Sequence, residues 1–249
     1  MSPKAVSVVL VHGAWADGSS WGLAGDTALA GCTALAGCTA GVIGPLAAAG
    51  HKVLAASLPL TTFEADVAAL EQTLGRTSGP VVLVGHAYAG AVIAAARHPD
   101  LKSLVYITGL APAHGETVAD VFYRSPSHPR APRLAPDHHG LIYLPDSAFA
   151  EAFAPNATAE QQAVLKAVQR PISPACITTP VDHPNWRDLP SWYLVAEQDY
   201  MILAETQRFL AQRMHAHVRS HAVDHTPMVT APAVVVDIIR EAITEVAAR

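Results

Sequence analysis

The stretch Val81-Val82-Leu83-Val84-Gly85-His86-Ala87-Tyr88-Ala89-Gly90-Ala91-Val92-Ile93 decides how this chain folds. Four consecutive apolar residues read as a strand buried on both faces, the kind that a parallel sheet covers with helices. A glycine-containing turn follows, and then a second apolar run begins at Ala89 with helical character. Strand, sharp turn and helix are the setting of the G-x-S-x-G nucleophile elbow, which lifts a serine oxygen above a parallel sheet. Here the serine position is Ala87, and Ala89 replaces the second glycine. A residue as small as Ala89 still lets the helix pack close to the strand. Ala87 is decisive for chemistry, because a methyl group cannot carry an acyl intermediate.

Outward from this turn, short Val/Leu/Ile runs alternate with amphipathic segments. Val6–Val11, Val53–Ala56, Val81–Val84, Ser103–Thr108, Trp192–Ala196 and His217–His221 are the predicted strands. The alternation predicts an α/β fold, a mostly parallel sheet of about six strands with helices on both faces. Thr61 with Glu64, and Thr158 with Gln161, have the capping-box spacing ahead of apolar helical patterns. Val234, Val235, Ile238, Ile239, Ala242, Ile243 and Val246 form one stripe on a C-terminal helix, read as core packing. The alternation fails from Pro112 to Pro184, which holds 11 of the 19 prolines and five of the 13 histidines. Residues 112–185 are therefore expected to form an inserted helical cap, with residues 1–111 and 186–249 as the core. Such an insertion leaves from the strand ends, where ligands bind in open α/β sheets. Thr27–Cys32 is repeated immediately as Thr33–Cys38. Two six-residue copies are too short for a solenoid and read as a duplication tolerated in a loop.

Composition narrows the function classes. The chain has 249 residues, half of them hydrophobic and only 15% charged, which suits one folded domain rather than a disordered chain. A formal net charge of −5 with no Lys/Arg cluster argues against nucleic-acid binding. No apolar run is long enough to span a membrane. Three cysteines (Cys32, Cys38 and Cys176) without C-x-x-C spacing suggest neither disulfides nor a zinc site. With no leader pattern before the first strand, a cytoplasmic location is expected. No G-x-G-x-x-G follows that strand, so no dinucleotide is expected, and no cofactor or metal is called for. His215, His217 and His221 read as solvent-facing histidines around one strand rather than ligands, because no carboxylate or cysteine joins them.

In order and spacing, four motifs resemble the α/β-hydrolase superfamily, in particular the compact group of plant methylesterases, hydroxynitrile lyases and methylketone synthases. They are Val9-Leu10-Val11-His12-Gly13-Ala14-Trp15, the elbow Gly85–Ala89, Asp199 in Ala196-Glu197-Gln198-Asp199, and His225 in Val223-Asp224-His225-Thr226-Pro227. The resemblance implies an oxyanion hole made by the backbone N–H groups of Ala14 and Tyr88, which need no particular side chain. It also implies that His225 is the acid/base and that Asp199 fixes its tautomer and orientation. Asp224 adjoins His225 but, as a sequence neighbour, is poorly placed to hold its ring. His86 is read as a packed, hydrogen-bonded structural residue. Trp15, Ser20, Tyr88 and His139 are the substrate-binding candidates, with Trp21, Phe122, Tyr123 and Tyr143 as further aromatic candidates for a pocket wall.

Three functions follow from these residues. The first is an enzyme without serine, in which His225 moves a proton or activates water while the oxyanion hole holds the charged oxygen of an ester, lactone or β-keto acid. Methylketone synthases, in the resembled group, also lack the serine and act on β-keto acids. The second is a serine esterase or acyl hydrolase whose serine has been replaced by alanine. The third is a non-catalytic protein that kept a small-molecule pocket. Each implies a small, largely uncharged carbonyl compound as partner; the sequence carries no signal for oligomeric state.

Overall fold

A computed structural model describes residues 6–22 and 41–248. The repeated segment Thr27–Cys38 lies outside the described residues. Six strands form one sheet: β1 Ser7–Val11, β2 Lys52–Ala56, β3 Val81–His86, β4 Leu101–Ile107, β5 Ser191–Ala196 and β6 His217–His221. Their order is β2-β1-β3-β4-β5-β6, and every pairing is parallel. β1, β3 and β5 are buried at every residue, as the uninterrupted apolar runs require. β6 closes the edge and is mostly exposed; its His217 stacks on Trp192 at 4.9 Å.

Helices cover the sheet. The C-terminal helix Pro232–Ala247 packs on β3, β4 and β5 and buries Val235, Val236, Ile238, Ile239, Ala242, Ile243 and Val246. Val234, expected in that stripe, is only half-buried. Phe63–Leu74 packs on β1, β2 and the helix Ala89–Ala95. Its cap is Thr62, whose hydroxyl accepts from the Ala65 N–H at 3.1 Å, so the expected Thr61–Glu64 box does not form. Starting the helix at Phe63 turns Phe63, Asp66 and Leu70 inward together, and that burial sets the register. Thr158 and Gln161 do form a reciprocal capping box. No helix among the described residues is long and apolar enough to cross a membrane.

The topology places the site. From β1 the chain first builds β2 on one side and then returns to build β3 on the other, so the crevice beyond the ends of β1 and β3 is the switch point of the sheet. Val11 pairs with Gly85, so the turn after β1 and the turn after β3 leave the sheet side by side. Between β4 and β5 the chain makes an excursion of short helices, including Val118–Phe122, Ala159–Val168 and Pro174–Thr178. Its Phe149 and Phe153 pack into the same apolar cluster as the sheet.

Candidate active site

The turn after β3 has elbow geometry although its residue is alanine. Ala87 sits in the left-handed region at φ 47°, where a Cβ is disfavoured by roughly 1–2 kcal/mol. The turn is held there by β4 and its exit: the Ala87 N–H donates to the Ile107 carbonyl at 3.1 Å, and the Ala87 carbonyl accepts from Leu110 at 2.9 Å and Gly90 at 3.0 Å. Two glycines permit the crowding. A Cβ on Gly85 would lie 2.9 Å from the Ala89 carbonyl oxygen, and one on Gly90 only 2.4 Å from that of Leu110. The tightest approach of this helix is thus at Gly90, which explains why alanine is accepted at 89.

β1 ends in a similar arrangement. His12 is fully buried; its Nε2 accepts the Leu58 N–H at 3.0 Å, so Nδ1 carries the hydrogen and donates to the Gly13 carbonyl at 2.9 Å. Burial holds its pKa down to about 4, so the ring is neutral at physiological pH. Trp15 follows at φ 57°, and its indole N–H donates to the Ile142 carbonyl at 2.9 Å, tying the β1 turn to the excursion. Among the described residues, neither the Ala14 nor the Tyr88 N–H has a hydrogen-bond acceptor.

Asp199 and His225 meet as a buried pair. His225 Nδ1 lies 2.8 Å from Asp199 Oδ2, and both residues are almost wholly inaccessible. The carboxylate is fully occupied: Oδ1 accepts the Met201 and Ile202 N–H groups at 2.7 and 2.8 Å, and Oδ2 also accepts the Gln207 amide at 2.9 Å. The imidazole thus presents Nδ1–H to the carboxylate, which leaves Nε2 as the ring's acceptor nitrogen. The ring is packed by Phe153 at 5.3 Å and by His86 at 4.8 Å, and the His86 Nε2–H donates to the His225 carbonyl at 2.8 Å. His86 is neutral, its pKa driven far down by burial, which is the structural role expected of it. Asp224 does not hold the imidazole, whose Nδ1 bonds Asp199. Its carboxylate accepts from Thr226, Thr230 and the Asn156 N–H, joining the excursion to the His225 loop.

These pieces open onto one cleft lined by Ala14, Trp15, Ala87, Tyr88 and His225 from the core, and by Val118, Phe122, Ile142, Ile172 and Ile177 from the excursion. Among the described residues, no Ser, Thr, Cys, Lys, Arg, Asp or Glu lines it. Phe122 and Tyr123 line the cleft, as expected of aromatic walls. Four candidates do not. Ser20 is buried in a 3-10 turn with its hydroxyl on the Asp17 carbonyl at 2.8 Å, and His139 stands exposed in the turn organised by Asp137. Trp21 is sealed in the core and Tyr143 points to solvent.

Two residues escaped the sequence reading. Gln207 bridges the Ala196 N–H, the Ile202 carbonyl and Asp199, so it orients the carboxylate. Asp66 is fully buried, accepts the Tyr88 hydroxyl at 2.7 Å and the Leu60 N–H at 2.7 Å, and has its pKa raised by burial. Cys176 lies beside both, its thiol pushed up to about 12 by burial, so it is no nucleophile at neutral pH. Tyr88 is likewise held protonated by burial and by Asp66, which removes it as a substitute for serine.

A model of the alpha/beta hydrolase family matches residues 8–238. No curated protein matches the sequence. Among solved structures the chain is similar to the pyrethroid hydrolase PytH, crystallised as a serine-to-alanine variant, at 20% identity and TM-score 0.77 over 99% of this chain and 100% of that one. It is also similar to polyneuridine aldehyde esterase, at 18% identity and TM-score 0.75 over 96% and 99% of the two chains. Methylesterase MES16 from Arabidopsis aligns at 13% identity and TM-score 0.74 over 96% and 99%. At these identities the structural likeness speaks for the fold alone, but the sequence match covers nearly the whole chain: it belongs to the alpha/beta hydrolase family.

Proposed function

We propose that this protein hydrolyses an uncharged, largely apolar ester or lactone by direct attack of water, without an acyl-enzyme. The observation that carries the reading is the His225–Asp199 pair opening onto a cleft in which no described residue offers a nucleophilic side chain. His225 Nε2 takes a proton from water as the water oxygen bonds to the carbonyl carbon. The carbonyl oxygen becomes an oxyanion and is received by the free N–H groups of Ala14 and Tyr88. The imidazolium is stabilised by Asp199. Collapse breaks the carbon–oxygen bond, the leaving alkoxide takes the proton from His225, and a carboxylic acid and an alcohol depart. One oxyanion donor can be worth about 3 kcal/mol, so the scaffold retains catalytic power without serine. The cleft wall favours neutral substrates: with no Lys or Arg among its described residues, the carboxylate of a β-keto acid has no partner there to offset its desolvation.

A second reading has its own support. Ala87 keeps a strained left-handed turn that a serine nucleophile needs and an alanine does not. This favours a serine esterase whose hydroxyl has been replaced, with no turnover of its own beyond a residual level. The test is a panel of p-nitrophenyl esters and lactones assayed with the parent, His225→Ala and Ala87→Ser. Parent turnover that falls by about 10²–10⁴ in His225→Ala supports direct hydrolysis. A near-silent parent that gains at least about a hundredfold in Ala87→Ser supports the replaced-serine reading instead. Parent, His225→Ala and Ala87→Ser all equal to buffer leave only a binding protein.

A further inference from the structure

We propose that His114, Asp182 and His183 form a surface site for one divalent transition-metal ion of the zinc class. His114 lies 68 positions before the adjacent pair Asp182-His183, yet the ligand atoms of all three lie within 4.8 Å of one another. Asp182 Oδ1 is 2.8 Å from His114 Nδ1 and 3.4 Å from His183 Nε2, and the two imidazoles stack at 5.1 Å. Three ligands about 2.0–2.2 Å from a tetrahedral zinc stand roughly 3.4 Å apart, so small side-chain rotations suffice to admit the ion. Two imidazoles and one carboxylate select borderline metals; calcium and magnesium demand oxygen ligands.

The backbone beneath these side chains is built, not loose. The Gly115 N–H donates to the Val181 carbonyl and the Val181 N–H to the Glu116 carbonyl, both at 2.9 Å. Glu116 is pinned by Arg213 at 2.8 Å and by the Ala113 N–H at 2.9 Å. On the other side the His183 carbonyl accepts from Arg97 at 2.6 Å. His183 itself is held in the left-handed region at φ 42°, a conformation that is disfavoured for a residue with a Cβ and that turns its ring toward His114. All three side chains are exposed, so the ion enters from solvent and its remaining positions are filled by water. His114 stands at the start of the excursion between β4 and β5, and Asp182 and His183 stand at its end. The ion would join the two ends of a loop of about 70 residues, which restrains the unfolded chain more than the folded one.

The experiment is calorimetric titration of chelator-stripped full-length protein with ZnCl2, paired with thermal unfolding with and without zinc. His114→Ala, Asp182→Asn and His183→Ala are compared with the parent and with a His138→Ala/His139→Ala control, which removes another exposed histidine pair. Metal-free melts equal to the parent's establish that each variant folds. The expected result is one zinc per parent chain and a rise in Tm on adding zinc. Both are weakened at least about tenfold in affinity or lost in the three site variants, and both are retained in the control. Titrations unchanged by the three substitutions, or a parent that binds no zinc up to about 1 mM, overturn the assignment.

Discussion

At the scale of single residues, the proposed chemistry rests on what surrounds two side chains. Asp199 uses every acceptor position it has, on Met201, Ile202, Gln207 and His225. Asp199→Asn would keep the shape and present an amide to Nδ1, favouring the wrong tautomer. Ester turnover by Asp199→Asn should therefore fall below the parent's by about 10²–10⁴ in kcat with little change in KM, and a variant as fast as the parent would remove the Asp199–His225 pair from the mechanism. Tyr88 is a quieter case. Removing its hydroxyl in Tyr88→Phe leaves a buried carboxylate at Asp66 without its strongest donor, which should destabilise the fold by about 1–3 kcal/mol in denaturant unfolding. The Tyr88 backbone N–H is untouched, so turnover of the folded variant should stay near the parent's. Ala87, Asp199 and His225 were legible in the sequence because each sits at a strand exit in a fixed order. Asp66 and Gln207 were not, because their meaning depends on partners that only helix placement supplies. Ser20 and His139 looked suitable by residue type, but local turns point them elsewhere.

At the scale of elements, the helix Ala204–Arg213 acts through Gln207. It accepts the Ala196 N–H at the end of β5 and donates to Asp199 beyond it, so one amide couples strand, loop and carboxylate. Gln207→Leu strands a buried N–H and weakens the hold on Asp199. It should lower unfolding free energy by about 1–3 kcal/mol and reduce kcat as well. A loss of stability with kcat unchanged would show that Gln207 supports the fold and not the acid. The six strands were readable because a buried parallel strand cannot hide its apolar run. Helix starts were read less accurately: Thr62, not Thr61, caps the second helix because burial of Phe63 and Asp66 chooses the register over local capping chemistry.

At the scale of the whole molecule, buried histidines make stability depend on pH. The unfolded chain protonates His12 below about 6.5, whereas in the fold burial lowers its pKa to about 4. The unfolded state thus binds the extra proton between these values. The contribution of His12 is complete above pH 6.5 and is lost, by roughly 3 kcal/mol, as pH falls toward 4. His86 is shifted in the same direction and adds to the loss. Asp66 and Asp224, both raised by burial, act oppositely: their ionised forms oppose folding, so their contribution improves as pH falls through their raised pKa values. Unfolding free energy measured from pH 7.5 to 4.5 should decline, and His12→Gln should flatten the decline after its own constant cost is subtracted; an unchanged slope would mean that His12 titrates normally in the fold. The metal ligands His114, Asp182 and His183 show the limit of sequence reading at this scale, since only the closed excursion brings its two ends together. The account as a whole turns on whether the imidazole works without serine. The most direct measurement is steady-state hydrolysis of neutral p-nitrophenyl esters by the parent and by His225→Ala, with intact mass recorded during turnover. The account predicts parent turnover that His225→Ala lowers by about 10²–10⁴, with no mass increase from an acyl adduct. Equal rates in the two proteins, or an acylated parent, would contradict it.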